Sequence, residues 1–436
     1  MPSIITDVVC PYCGCLCDDL EVVVESGKIL EVRSNCELGA EKFLHAHAPT
    51  RLKTPKIKGD GGFKEVSLDE AVQKAAEVLM NAKKPLVYGW SSTECEAIRV
   101  GVELTEEVGG IIDDTSSVCH GPTIIALQDV GISTCTLGEI KNRADLIIYW
   151  GCNPMQAHPR HLSRYTFFPR GFFRARGQEE RALVVVDVRA TETSRLAKHF
   201  LQVKPNYDYE LVSALRMAIK GHKIPDKVGG VPREKIEEVA SLMKKSKFVA
   251  IFFGLGMTMS GAKHRNVDNI LSLVRDLHQF TKCVIMPMRG HYNVEGFNEV
   301  CTWQTGFPYA VDFSRGYPRY NPGETTAADL LARGEVDAAL IVASDPVAHF
   351  PKDSTRQLMK IPVIAIDAYE SLTTEIATVV IPAAIAGVEV EGTAYRMDHV
   401  PIRLRKVLDP PQGVLPDREI MTRILEKVRE LRGKPQ

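Results

Sequence analysis

Ala144-Asp145-Leu146-Ile147-Ile148-Tyr149-Trp150-Gly151-Cys152-Asn153-Pro154 reads as an apolar strand that ends in a polar turn. Its unbroken apolar run suits a strand buried on both faces of a parallel sheet. The stretch has a near copy in Val336-Asp337-Ala338-Ala339-Leu340-Ile341-Val342-Ala343-Ser344-Asp345-Pro346. His158-Pro159 follows the first copy and His349-Phe350-Pro351 the second. Each copy then reaches a second strand that ends in aspartate. Asp187-Val188-Arg189-Ala190-Thr191-Glu192-Thr193 leads to Ala197, and Asp367-Ala368-Tyr369-Glu370-Ser371-Leu372-Thr373 leads to Ala377. Aspartate, threonine and alanine keep the same offsets in both.

A polar turn at the carboxyl end of a parallel strand is where α/β sheets bind ligands, and an aspartate ending the next strand can hold a ribose hydroxyl or a purine edge. Two copies predict two similar nucleotide-bearing ligands, bound in pseudo-symmetric fashion. No strand is followed by G-x-G-x-x-G, and no G-x4-G-K-[ST] occurs, so ordinary NAD and ATP sites have no support. Around the two copies, further strand-like runs (Pro85–Trp90, Phe248–Phe253, Val284–Met288, Val379–Ile381) alternate with helical patterns (Leu68–Ala82, Tyr209–Lys220, Arg233–Lys245, Asn266–Thr281). That alternation predicts parallel sheets covered by helices.

The chain's 436 residues exceed one core, so two or three domains are expected. With 44% hydrophobic and 25% charged residues it has the balance of a soluble globular protein, and a net charge of -1 offers no basic field for nucleic acid. No apolar run spans a bilayer and the N-terminus lacks a signal-peptide pattern, which predicts a cytoplasmic protein without membrane contact. In that compartment eleven cysteines suggest metal rather than disulfides.

Five of those cysteines fall within the first 36 residues. Cys10, Cys13 and Cys17 give C-x2-C-x3-C, with Cys36 as a distant fourth; three thiolates from a tight loop and one from a remote arm suit a [4Fe-4S] cube. Cys15 is a spare that could replace a neighbour. The alternative is a structural zinc site, which usually pairs two C-x2-C knuckles. A second place for metal is Ser116-Ser117-Val118-Cys119-His120-Gly121-Pro122, where a soft thiolate ligand stands beside an imidazole able to move a proton near neutral pH. Cys95, Cys135, Cys152, Cys283 and Cys301 show no ligand spacing and read as small hydrophobes.

This combination resembles the molybdopterin-guanine-dinucleotide oxidoreductases related to formate dehydrogenase, over nearly the whole chain. Trp150–Pro154 looks like that family's W-G-x-N-P turn, and Asp187–Thr191 its D-P-R-x-T segment with valine in place of proline. Glu391-Gly392-Thr393 resembles its E-G-T segment; Ser344-Asp345-Pro346 departs from its E-N-P. More narrowly, Cys10–Asp19, Ser117–Pro122 and Arg289-Gly290-His291-Tyr292-Asn293-Val294 are similar to the B subunits of formylmethanofuran dehydrogenases. The resemblance implies a tungsten or molybdenum centre held by two molybdopterin guanine dinucleotides, with Cys119 as its protein ligand. It implies reduction of CO2 to formate as the first step of methanogenesis from CO2. His120 would then shuttle a proton, and Arg289 would stabilise the charge that develops on formate, unless Arg289 serves as an ion pair or a cofactor phosphate contact. Gly151, Cys152, Asn153, Asp187, Arg189, Thr191, Gly290, His291, Ser344, Asp345 and Asp367 would line the cofactors. Lys42 would bridge cluster and pterin.

The expected architecture is α/β, with a small N-terminal iron–sulfur domain and two parallel-sheet α/β domains carrying the internal pseudo-repeat. The boundaries read as 1–56 for the [4Fe-4S] domain, 57–119 with 325–395 for a discontinuous first α/β domain, 120–324 for the second and 396–436 for a C-terminal extension. Since relatives carry a β-barrel domain after the E-G-T segment, the resemblance implies that a separate small β-barrel subunit completes the pterin site. It also implies an amidohydrolase-like subunit joining formate to methanofuran and polyferredoxin-type iron–sulfur subunits. The helix-like run Asp417–Arg432 is a candidate docking element. Two rival readings remain: a stand-alone formate dehydrogenase or other molybdopterin oxidoreductase such as a nitrate reductase, and a non-catalytic iron–sulfur scaffold subunit.

Overall fold

The computed structural model describes residues 2–433 and divides them into two compact units. The second unit comprises residues 119–290 and 397–400; the first takes the rest. The segment 291–324, read from sequence with the second α/β domain, falls in the first unit. There its helix Val294–Thr305 packs on the helix Cys95–Glu107.

Within the described residues, the second unit holds a five-stranded sheet in the order His199–Gln202, Ala182–Asp187, Leu146–Trp150, Phe248–Phe253, Lys282–Pro287, all parallel. Leu146–Trp150 lies at its centre and is buried along its whole length, as its unbroken apolar run requires. The helices Asp208–Ile219, Arg233–Lys245 and His264–Leu277 contribute their apolar faces to the same core.

The first unit is built on a nine-stranded sheet. Five parallel strands form its middle, in the order Ile111–Asp114, Pro85–Gly89, Ala338–Val342, Val363–Asp367, Val379–Pro382. Antiparallel strands finish both edges. The sequence reading passed over Ile111–Asp114, whose apolar half is two residues long and whose aspartates look like a turn. Burial of all four residues against Pro85–Gly89 overrides that appearance. The helix Leu68–Asn81 starts on a capping box, in which Ser67 accepts the Glu70 N–H and Glu70 accepts the Ser67 N–H.

Two smaller elements complete the first unit. Strands Ser3–Val8, Leu20–Glu25 and Lys28–Arg33 form an antiparallel sheet that carries the cysteine loop. The C-terminal helix Asp417–Gly433 lays Ile420, Met421, Ile424, Leu425 and Val428 against the helices Leu68–Asn81 and Cys95–Glu107. Its apolar face is therefore already covered by its own unit. Among the described residues no helix is long and apolar enough to cross a membrane.

Candidate active site

The cysteine loop runs from Val8 to Leu20 and is closed by the Cys10 N–H donating to the Cys17 carbonyl at 2.9 Å. Cys36 caps the helix Glu37–Leu44, and its sulfur accepts the Gly39 N–H at 3.3 Å. A side chain at Gly39 would come within 2.8 Å of the Cys10 sulfur, so this glycine lets the helix start lie against the loop. Asn35 donates to the Cys10 sulfur at 3.7 Å and accepts from the Cys36 N–H at 2.9 Å. Burial, then the charges of Cys13 and Cys17, push the Cys10 thiol up. Cys15 is fully buried and bonded to Cys13, and its thiol is pushed up by burial first. The fold thus gathers Cys10, Cys13, Cys17 and Cys36, and no disulfide ties up any of them.

Lys42, on the Cys36-capped helix, lies in the fields of two groups the sequence could not pair with it, Asp367 and the Cys10 thiolate. Burial pushes its ammonium down while both anionic neighbours pull it up. Asp367 is pushed up to about 6, mainly by burial, while the Tyr369 and Ala368 N–H groups, then Lys42, act against that rise and Asp345 adds to it. His291 pairs with Cys13 in a β-bridge of the same unit, with the charges of His349 and Lys42 acting on its ring.

The two strand-end turns repeat bond for bond. In the second unit Asn153 Oδ1 accepts the Thr193 hydroxyl at 2.6 Å and the Thr193 N–H at 3.4 Å. In the first, Asp345 Oδ1 accepts the Thr373 hydroxyl at 2.6 Å and the Thr373 N–H at 3.0 Å. Thr191 with Ser194 and Ser371 with Thr374 make matching capping boxes at the next helix starts. Ser344 occupies the turn in the first unit, as Cys152 does in the second. The Cys152 thiol is pushed up by burial, then by Asp187. Arg189 is exposed and its N–H donates to Asp187 at 3.3 Å.

Cys119 stands between the short helical turn Thr115–Val118 and the helix Gly121–Val130, where Pro122 suits the helix start. Asp113 pins the approach by accepting the Ser117 hydroxyl, the Ala327 N–H at 2.7 Å, the Asp114 N–H at 2.9 Å and the Ala310 N–H at 3.2 Å. Burial nevertheless pushes it up to about 7. Within the second unit the Cys119 carbonyl accepts the Thr258 hydroxyl at 3.0 Å. The Cys119 residue is half-buried and His120 fully buried. His120 Nδ1 lies 3.0 Å from the Thr123 hydroxyl, and its ring meets Phe253 edge-on at 5.8 Å. Met288 donates to the Phe253 carbonyl at 2.8 Å, so Arg289 and Gly290 leave the sheet beside the strand that His120 touches. Arg289 is 3% exposed, and its carbonyl accepts His158 Nε2 at 2.7 Å.

Sequence reasoning missed Asp113, His158 and the Arg51–Glu389 ion pair. Arg51 meets Glu389 at 2.6 Å with both side chains buried, and it also donates to the Ala368 carbonyl at 2.7 Å just past Asp367. The E-G-T segment proves to be a docking point within the first unit. Thr393 donates its N–H and hydroxyl to Glu96 at 2.9 and 2.8 Å, and a side chain at Gly392 would come within 2.6 Å of Glu94. No spacing rule would have found these pairs, because each joins segments far apart in the chain.

Residues 51–427 match the molybdopterin oxidoreductase family. The chain is 56% identical to the B subunit of tungsten-containing formylmethanofuran dehydrogenase 2 from Methanocaldococcus jannaschii, over 99% of this chain and 100% of that protein. It is 52% identical to the protein of the same description from Methanococcus maripaludis, again over 99% and 100%. A chain in the crystal structure of the formyltransferase/hydrolase complex FhcABCD from Methylorubrum extorquens, in complex with methylofuran, superposes with a TM-score of 0.71 at 24% identity, covering 87% of this chain and 100% of that one. That likeness concerns the fold alone. Family match and near full-length identity agree with the turn geometry described above: this chain belongs to the molybdopterin oxidoreductases, within the group formed by the B subunits of formylmethanofuran dehydrogenases.

Proposed function

We propose that this chain is the catalytic subunit that reduces CO2 to formate within a formylmethanofuran dehydrogenase. The observation that carries the reading is the grouping, in one unit, of a half-buried Cys119, a buried His120 and a buried Arg289, the last two both reaching the strand Phe248–Phe253.

The donor sets fit the implied groups. Four cysteines outside any disulfide, with Gly39 leaving room between two of them, suit a [4Fe-4S] cluster at Cys10, Cys13, Cys17 and Cys36. A single accessible thiolate at a strand-to-helix turn suits a soft metal ligand, tungsten or molybdenum, at Cys119. The matched turns around Gly151, Cys152, Asn153, Asp187, Arg189 and Thr191, and around Ser344, Asp345 and Asp367, suit one molybdopterin guanine dinucleotide each, with Gly290 and His291 beside them. When bound, the pterin-held metal supplies two-electron redox chemistry and the cluster supplies its electrons one at a time.

The reaction takes CO2, two electrons and one proton to formate. CO2 is linear and neutral, whereas formate is bent and anionic. Arg289 offers two parallel N–H donors to the oxygens on which that charge develops. Its burial strengthens the interaction, because little water competes. His120 holds or releases the proton, with Thr123 setting the orientation of its ring. Lys42, between Cys10 and Asp367, places a positive charge between the cysteine loop and the first unit's turn. Cysteines without disulfides fit a cytoplasmic setting. Partners, on the analogy of the relatives' subunit naming, are a small β-barrel subunit, an amidohydrolase-like subunit that joins formate to methanofuran, and polyferredoxin-type electron carriers.

The test is formate-linked electron transfer by the purified complex, with metal analysis. Cys119→Ala should abolish turnover, Arg289→Ala should lower it by about a hundredfold with metal retained, and Cys36→Ser should alter the iron content and EPR signal. Turnover within a few-fold of wild type in Arg289→Ala would remove Arg289 from the mechanism.

A further inference from the structure

His158 is buried, 3% exposed, at the end of the short helix Pro154–Ala157 that opens on the Asn153 turn. Its Nε2 lies 2.7 Å from the Arg289 carbonyl oxygen. A carbonyl only accepts, so Nε2 carries the proton and the tautomer is fixed. Burial holds the ring below its ordinary range, and the carbonyl bond opposes this only in part. The imidazole is therefore neutral at physiological pH, as it must be in a unit that also buries the Arg289 cation.

The ring has a firm backing. Its neighbour His161, 6.5 Å away between ring centres, is held through Nδ1 by the Tyr149 hydroxyl at 2.8 Å. Tyr149 in turn meets the Thr166 hydroxyl at 2.8 Å, and Thr166 donates to the His161 carbonyl at 3.2 Å. Tyr149 belongs to the central strand, directly before the Trp150–Pro154 turn. On the other side, the Met288 N–H makes the bond that follows the strand Lys282–Pro287, and at Gly290 nothing lies within 4 Å of where a side chain would project. Beyond Met288, the carbonyl of Arg289 is tied to the central strand through His158.

We propose that His158 is a positioning residue. Its neutral imidazole fixes the Arg289 peptide, and with it the direction from which the guanidinium meets CO2 or formate. This ties the arginine to the same Gly151–Pro154 turn that forms the second unit's half-site. The inference rests on the role proposed for Arg289, and its test separates the two. The intact complex is prepared with His158→Phe, His158→Gln, Arg289→Ala and the double variant His158→Phe/Arg289→Ala. Formate oxidation is followed with an artificial electron acceptor, together with metal and iron content.

His158→Phe removes the donor and should lower kcat/KM for formate by about tenfold to a hundredfold, with a raised KM and unchanged metal content, as expected for a charge displaced by about an ångström. His158→Gln keeps an N–H of similar reach and should recover most of the activity. In the Arg289→Ala background His158→Phe should cause no further loss, because the group it positions is gone. A fully active His158→Phe beside an inactive Arg289→Ala overturns the inference and leaves the arginine reading intact. Near-normal Arg289→Ala overturns the arginine reading itself. Additive losses in the double variant, or loss of metal, make His158 merely structural and overturn the inference. If His158→Phe does not assemble, His158→Asn, whose amide falls short of the carbonyl, is compared with His158→Gln; equal activities overturn it.

Discussion

The two strand-end turns share a hydrogen-bond pattern but differ in charge and in backbone freedom. Asn153 is neutral and needs a partner for its own amide, which Glu192 supplies at 2.7 Å. Asp345 has no donor, so it gathers further N–H groups instead, from Leu372 at 3.3 Å and Ala348 at 3.4 Å. The first unit's turn therefore carries two carboxylates, Asp345 and Asp367, answered by Lys42. The backbone contrast runs the other way. Gly151 has φ +57°, and a side chain there would lie 2.8 Å from the Gly256 Cα. Its counterpart Ala343 also has a positive φ, 46°, yet carries a methyl group. In the first unit the close approach falls on the neighbouring strand, where a side chain at Gly89 would lie 1.9 Å from the Val342 carbonyl oxygen. A duplicated scaffold thus keeps the bonds that shape its turn, while charge and close contacts are settled separately by what each copy packs against.

The largest expected effect tests whether the first unit's turn depends on its buried brace. Glu389→Ala leaves the Arg51 guanidinium without its carboxylate and should destabilise the first unit by about 3–5 kcal/mol. Hydrogen exchange should show the loss in the strands Val363–Asp367 and Val379–Pro382, with the second unit's sheet unchanged. Equal loss of protection in both sheets would mean that the two turns are not separately supported.

Next, Gly151→Ala should destabilise the second unit by about 2–3 kcal/mol, from left-handed strain and contact with the Gly256 backbone. Ala343→Gly should change stability by about 1 kcal/mol or less, because relief of strain is offset by added freedom in the unfolded chain. Urea unfolding monitored by exchange in each sheet measures both. Similar effects for the two substitutions would erase the contrast between the copies.

Thr373→Val and Thr193→Val remove equivalent hydroxyls. The first deprives a carboxylate of a donor and should cost about 1.5–3 kcal/mol, while the second deprives an amide and should cost about 0.5–1.5 kcal/mol. The same unfolding measurement ranks them, and a reversed order would argue that Asp345 is protonated.

The smallest effect is one of pH. His158 and His161 are held neutral by burial, below their ordinary range, so they bind fewer protons folded than unfolded. Their stabilisation is complete above an unfolded value of about 6.5 and is lost as pH falls below it. Asp113 and Asp367 are raised, to about 7 and about 6, so the folded state retains their protons longer. Their contribution is largest below an unfolded value of about 3.9 and is lost as pH rises through those raised values. Between about pH 5 and 7 the second unit's sheet should therefore gain protection, and the first unit's should lose it. Parallel trends would show that other groups dominate.

Much of the fold and of the candidate site was legible because it is written in local order. Leu146–Trp150 and Ala338–Val342 announce buried strands by their unbroken apolar runs, and the matched offsets after them announce the duplication. Ile111–Asp114 escaped notice because its two aspartates read as a turn; only the sheet neighbours that bury it, and the four donors that converge on Asp113, make it a strand end. The E-G-T segment was legible as a family mark but not as a clasp on Glu96.

By itself the sequence determined the α/β alternation, the paired turns, the cysteine spacing and the family. Each of these depends on residues within one strand, one turn or one loop, where side-chain period and backbone sterics act directly. Only the tertiary structure decided that Lys42 lies in the fields of Cys10 and Asp367, that Arg51 is buried against Glu389, and that His158 holds the Arg289 carbonyl. These partners are brought together by sheet order and burial. A buried charge or donor takes whichever complementary group the fold delivers to it, and separation along the chain carries no trace of that choice.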